Sequence, residues 1–104
     1  MPASQIEVLI AGGGIGGLAA ALCLARNGCS VTLLEQAEAF TEVGAGIQLS
    51  PNCVHVLHAL GLEAALQSAA FLPEATQFRQ WRTGAVISAS PLGQAAVERY
   101  GAPY

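Results

Sequence analysis

The chain has 104 residues, 53% of them hydrophobic and 11% charged, with a formal net charge of −3. That length fits one domain, and so apolar a composition excludes a disordered chain. Every acid is Glu and every base is Arg, so there is no lysine for a Schiff base and no aspartate for a Ser-His-Asp triad. Four scattered arginines make too small a positive footprint for nucleic acid, which is not expected as a partner. Cys23, Cys29 and Cys53 are odd in number and form no CxxC pair. They point to a reducing, cytoplasmic compartment instead of a disulfide scaffold.

Residues 5–11 (QIEVLIA) read as a buried strand ended by glycine. Residues 15–26 read as a helix stopped by Asn27 and Gly28. That helix is apolar on every side and is expected to be buried on every side. Residues 8–25 carry no charge and reach the length of a membrane-span candidate. The glycines from Gly12 to Gly17 break such a helix, however, and Glu7 in place of a basic residue argues against a signal peptide. No membrane association is expected. Residues 30–35 (SVTLLE) form a second buried strand, which completes a right-handed parallel βαβ unit.

Residues 36–46 read as a loop and 47–49 as a very short strand. Ser50 is placed to cap a helix that begins at Pro51 and ends at Gly61, with Val54, Leu57 and Leu60 on one face. A short helix over 62–70 follows. Residues 75–82 and 85–90 read as two strands joined at Thr83-Gly84 as a hairpin. From Pro91 a connection with a helical turn near 95–99 is expected. The organisation is thus a βαβ unit over 1–35, a glycine-rich loop with helices over 36–72, and a hairpin with its connection over 73–104.

The turn after the first strand holds GxGxxG at Gly12, Gly14 and Gly17. Alone this is a weak signal. Here it follows a strand, opens a helix, and precedes a second strand that ends in Glu35, the context of a dinucleotide site. Gly12 permits the tight turn, Gly14 lets a pyrophosphate approach the backbone, and Gly17 lets the helix pack closely on the strand. The helix N-terminus offers free N–H groups to the pyrophosphate. Glu35 is suited to accept hydrogen bonds from a ribose and to repel a 2′-phosphate. These residues alone leave FAD and NAD both open, and a non-catalytic NAD-binding or interaction module stands as the alternative.

The stretches IAGGGIGGLAAALCLARNG, VTLLEQA, VGAGIQLSPN, LHALGL and ERYGAPY decide further. In these the chain resembles the flavin-dependent aromatic hydroxylases, the FAD monooxygenases related to para-hydroxybenzoate, salicylate and 6-hydroxynicotinate hydroxylases. The resemblance implies an α/β fold: the N-terminal part of a Rossmann-like FAD-binding domain with an appended β-hairpin. It implies FAD as cofactor, with Gly12, Gly14, Ile15, Gly16 and Gly17 at the pyrophosphate and Glu35 at the adenosine ribose, Gln36 beside it. Ala45, Gly46 and Ile47 would run near the ribityl chain and flavin ring, and Gln48 would face the ring or the substrate. It further implies NAD(P)H as external reductant and a small aromatic substrate hydroxylated with O2, and it leaves a homo-oligomer open.

Family members continue beyond a YGAPY-like segment with later Asp-Gly and Gly-Asp motifs, so the chain reads as an N-terminal portion that is inactive alone. An arginine common in the helix after the Pro-Asn pair is His55 here, and no role is carried over to it. His55 and His58 have a metal-compatible spacing but no third ligand, and they read as packing or surface residues. Cys53 reads as a small hydrophobe, and Phe78 and Trp81 as strand residues that pack under a second domain. No general base or nucleophile stands out.

Overall fold

The computed structural model describes residues 5–41, 44 and 46–103. The chain divides into two compact units, residues 1–45 and 46–104. In the first, β1 (Glu7–Ala11), α1 (Ile15–Arg26) and β2 (Ser30–Leu34) follow in order, and the strands pair in parallel from Glu7↔Ser30 to Ala11↔Leu34. The expected βαβ unit is therefore present. Its burial is not as expected. Both strands alternate, with Val8, Ile10, Val31 and Leu33 half-covered and Leu9 left 67% exposed.

None of the α1 residues is buried, and Leu18 and Leu22 are exposed. The reason is one of width. Two strands about 4.8 Å apart cannot surround a helix about 10 Å across, so α1 contacts the sheet along one stripe only. The end of α1 follows the sequence closely. Gly28, at φ +83°, donates to the Ala25 carbonyl, and the Cys29 N–H reaches back to that of Leu24. This is the left-handed glycine stop that satisfies the last carbonyls of a helix.

The second unit holds α2 (Pro51–Ala59), α3 (Glu63–Ala69), β3 (Ala75–Arg79), β4 (Val86–Pro91) and α4 (Gln94–Tyr100). Its core is small: Val54, Leu57 and Leu60 from the α2 region are buried, as are Ala96 in α4 and Ala102 just beyond it. Gly61 ends α2 in the same way that Gly28 ends α1, donating to His58 while the Leu62 N–H reaches Leu57. Residues 47–49 form no strand. Ser50 precedes α2 with extended backbone, yet its hydroxyl bonds to Asn52 Oδ1 instead of capping the helix N–H groups. The turn near 95–99 is a two-turn helix, stopped by Gly101 at φ +78°.

The hairpin pairs Ala75↔Pro91 through Arg79↔Val86 in antiparallel register, with an irregularity between Phe78 and Arg79. Its turn is longer than the sequence implied. The strands stop at Arg79 and start again at Val86 because Gln80 organises the intervening loop. The Gln80 Oε1 accepts the N–H groups of Arg82 and Thr83, and the Thr83 hydroxyl as well. Trp81 accordingly lies in the turn and not in a strand, with the Arg82 guanidinium 4.8 Å from its ring centroid. Every residue of β3 and β4 is exposed.

Candidate functional site

β1 runs into Gly12, whose φ of +109° only glycine adopts without strain and whose N–H donates to the Leu34 carbonyl at 2.7 Å. This bond ties the glycine turn to the end of β2. Gly14 then takes the N-cap position of α1 with extended backbone, no side chain caps it, and no acid lies in the first turn. The first helical N–H groups, from Ile15 onward, therefore point out of the helix with their partial positive charge uncompensated.

A Cβ placed at Gly12, Gly14 or Gly16 would meet nothing within 4 Å. Gly17 is different: a Cβ there would overlap the Gly12 carbonyl oxygen and stand 3.1 Å from its carbon, and 3.6 Å from Ile10 Cγ2. The glycines thus divide by function. Gly17 seats the helix against the strand, whereas Gly12, Gly14 and Gly16 line open space at a helix N-terminus, the geometry that accepts an anion.

Beside that turn, Ala11, Gly12, Leu34, Glu35 and Gln36 line a cleft of about 470 Å³. Glu35 sits at the tip of β2. Its Oε2 accepts the Gly13 N–H at 2.6 Å and its Oε1 accepts the Ala37 N–H at 2.9 Å. Hydrogen bonds from the backbone of Ala37, Gly13 and Gln36 hold its carboxyl below the ordinary value, against a smaller opposing effect of desolvation. Glu35 is therefore an anion at neutral pH with lone pairs to spare. An anionic acceptor beside an uncapped helix N-terminus fits the two ends of an adenosine diphosphate moiety, ribose hydroxyls at one and pyrophosphate at the other.

In the second unit, Gly46 has a φ of +139°, and Ile47 and Gln48 line a cleft of about 970 Å³. Its walls are mainly apolar, from Leu66, Phe71 and Leu92, with Ser50, Thr76 and Tyr100 supplying the polar groups. Ala45, expected beside Gly46, lies outside the described residues. His55 is a packing residue. Its Nε2 bonds to the Tyr100 carbonyl at 2.7 Å, and Gly101 leaves the ring the room it needs, since a Cβ there would stand 3.3 Å from His55 Cε1.

Three features escaped the sequence. Gly13 is an unassigned position of the motif, yet it is buried and bonded to Glu35. The Gln80 turn rests on a side chain collecting the amides two and three residues on, and the Thr76 and Tyr100 linings on elements brought together by the fold; neither shows in the pattern of residue types.

Residues 5–102, almost the whole chain, match the FAD binding domain family. The chain belongs to that family. The domain is accordingly an FAD-binding domain of α/β architecture. It is 48% identical over 98 residues to a 3-amino-4-hydroxybenzoate 2-monooxygenase of Streptomyces platensis, covering 94% of this chain and 25% of that protein. It is 45% identical to a 3-hydroxybenzoate 6-hydroxylase of Polaromonas naphthalenivorans, covering 97% and 25%. To a 6-hydroxynicotinate 3-monooxygenase of Pseudomonas fluorescens it is 41% identical, covering 94% and 26%. The chain thus spans about a quarter of the length of the curated relatives it matches. Among the described residues, no helix is long and apolar enough to cross a membrane.

Proposed function

We propose that this FAD-binding domain serves a monooxygenase that hydroxylates a small aromatic acid or phenol, with NAD(P)H as external reductant and O2 as co-substrate. The observation that carries the reading is the identity of 41–48% to relatives named for such reactions on hydroxybenzoates and a hydroxynicotinate. Bound FAD supplies the redox chemistry; the chain supplies binding and orientation.

In this reading the turn at Gly12, Gly14, Ile15, Gly16 and Gly17 holds the pyrophosphate, with free N–H groups from the α1 N-terminus donating to it and Gly12, whose own N–H is bonded to Leu34, lining the approach. Open space at Gly14 and Gly16 supports it, because a side chain there would occupy the approach. Glu35 accepts hydrogen bonds from the adenosine ribose with Gln36 beside it, and its charge disfavours a ligand bearing a 2′-phosphate. Ala45, Gly46 and Ile47 follow the ribityl chain and ring, and Gln48 faces the substrate side. The mainly apolar cleft with its few polar groups has the character of a small-molecule site. The organisation into 1–35, 36–72 and 73–104, a cytoplasmic location and a homo-oligomeric assembly belong to the same proposal. The three free cysteines accord with a reducing compartment.

The test is colour and turnover. The purified full-length protein that carries this domain is expected to show a flavin band at about 450 nm, released as FAD on denaturation. Its NADH or NADPH oxidation should rise when 3-hydroxybenzoate, 3-amino-4-hydroxybenzoate or 6-hydroxynicotinate is added. A colourless protein stabilised against heat by NAD and not by FAD would overturn the reading.

A further inference from the structure

Phe40 lies five residues beyond the Glu35 tip of β2, and the residue is 68% exposed. An aromatic ring so placed buries little of its own surface, yet it is not idle. A Cβ placed at Gly13 would stand 2.7 Å from Phe40 Cε1, 3.0 Å from Glu35 Oε2 and 3.2 Å from Glu35 Cβ. The ring edge therefore fills the space that a side chain at position 13 would take, directly beside the bond from the Gly13 N–H to the Glu35 carboxylate. Gly13 owes its burial to this neighbourhood, and it is the buried residue of the turn.

We infer that Phe40 is a positioning residue for FAD: its ring is a lid over the Gly13–Glu35 hydrogen bond. The lid holds the glycine turn and the ribose-binding carboxylate in register before the cofactor arrives. The inference rests on the FAD reading above and deepens it.

The physical argument has three steps. A hydrogen bond to a carboxylate strengthens when water is displaced from beside it, because the local dielectric falls. The bonds from Gly13, Ala37 and Gln36 leave one of about four acceptor sites on the carboxylate, so a ribose hydroxyl still finds a lone pair. A carboxylate held in place before binding also loses less freedom on binding, which raises affinity without any contact between Phe40 and the ligand. Phe40 thus acts through Glu35, with its ring edge lying where a side chain at position 13 would go.

The test is a coupling measurement on the flavin-free protein titrated with FAD. Phe40→Ala is expected to weaken FAD binding about fivefold, and Phe40→Leu, which keeps an apolar cover, to stay within about twofold of the parent. In a Glu35→Ala background, Phe40→Ala should change affinity by less than about twofold, since the bond it covers is gone. Amide hydrogen exchange in the absence of FAD gives an independent reading. Phe40→Ala should speed exchange at Gly13 while leaving Val8, Leu9 and Ile10 unchanged. Parent-like affinity in Phe40→Ala, an effect of equal size without Glu35, or unaltered Gly13 exchange overturns the lid. Failure of the parent protein to take up FAD would instead remove the cofactor reading, and the exchange at Gly13 would still decide whether the lid exists.

Discussion

Replacing Gly17 by Ala puts the close approach of α1 and β1 to a quantitative test. The added Cβ overlaps the Gly12 carbonyl oxygen and stands 3.1 Å from its carbon, so backbone must move; no flexible side-chain end can yield instead. Gly12 has little room to retreat, because it is held at φ +109° and by its N–H bond to Leu34. Overpacking of this kind costs about 1–3 kcal/mol, and the upper end applies where backbone is the obstacle. Loss of the Gly12–Leu34 bond adds about 1 kcal/mol, and the better helix propensity of alanine returns a similar amount. The net destabilisation is about 3 kcal/mol, which for a domain of this size lowers Tm by roughly 12–24 °C.

Gly16→Ala is the matched control. It gains the same helix propensity and meets nothing within 4 Å, so the flavin-free protein should be slightly more stable than the parent. Its methyl group enters the space assigned to the pyrophosphate, however, and FAD affinity should fall about tenfold. Differential scanning calorimetry of the flavin-free proteins, with FAD titration, reads both quantities. A Gly17→Ala protein that melts at or above the parent temperature would refute the close-packing argument.

Further expectations concern Glu35, Gln80 and Val54. The carboxyl of Glu35 is held below its ordinary value of 4.5, so its bonds are fully present above that pH and are lost as pH falls through the lowered value. FAD retention should therefore be flat from neutral pH down to about 5 and decline only in stronger acid. Glu35→Gln should remove this pH dependence along with part of the affinity, as equilibrium dialysis against buffers of falling pH will reveal. Gln80→Ala removes the acceptor that gathers Arg82 and Thr83. It should cost about 1 kcal/mol and loosen the hairpin turn, visible as faster amide exchange at Thr83 with the helices unaffected. Val54 is fully buried, and Val54→Ala should destabilise the second unit by about 2 kcal/mol, measurable as a lower urea midpoint.

The elements that were legible in the sequence are those that local chemistry determines. Gly28 and Gly61 mark helix ends by their left-handed conformation, and each lies two residues beyond the last residue of its helix. Gly12, Gly17 and Glu35 were legible because strand, turn, helix and strand fix their spacing. What local pattern does not encode is the partner of a side chain. Ser50 has the composition of a cap but spends its hydroxyl on Asn52. Gln80 reads as a strand residue, yet its carboxamide competes with strand pairing by collecting the turn amides. The apolar character of α1 was read as complete burial, but burial is set by what lies opposite, and a two-stranded sheet covers one stripe.

The parallel register of β1 and β2 has a temporal consequence. Each residue of β1 pairs with one 23 positions later, so all contacts of the pair are available once the first unit has been synthesised. Such local topology closes quickly, whereas at about 5–20 residues per second the next 59 residues take several seconds to emerge. In this βαβ unit Leu9, Leu18 and Leu22 are exposed. The first unit holds all of its strand pairing within its own residues and can form before the rest of the chain has been made.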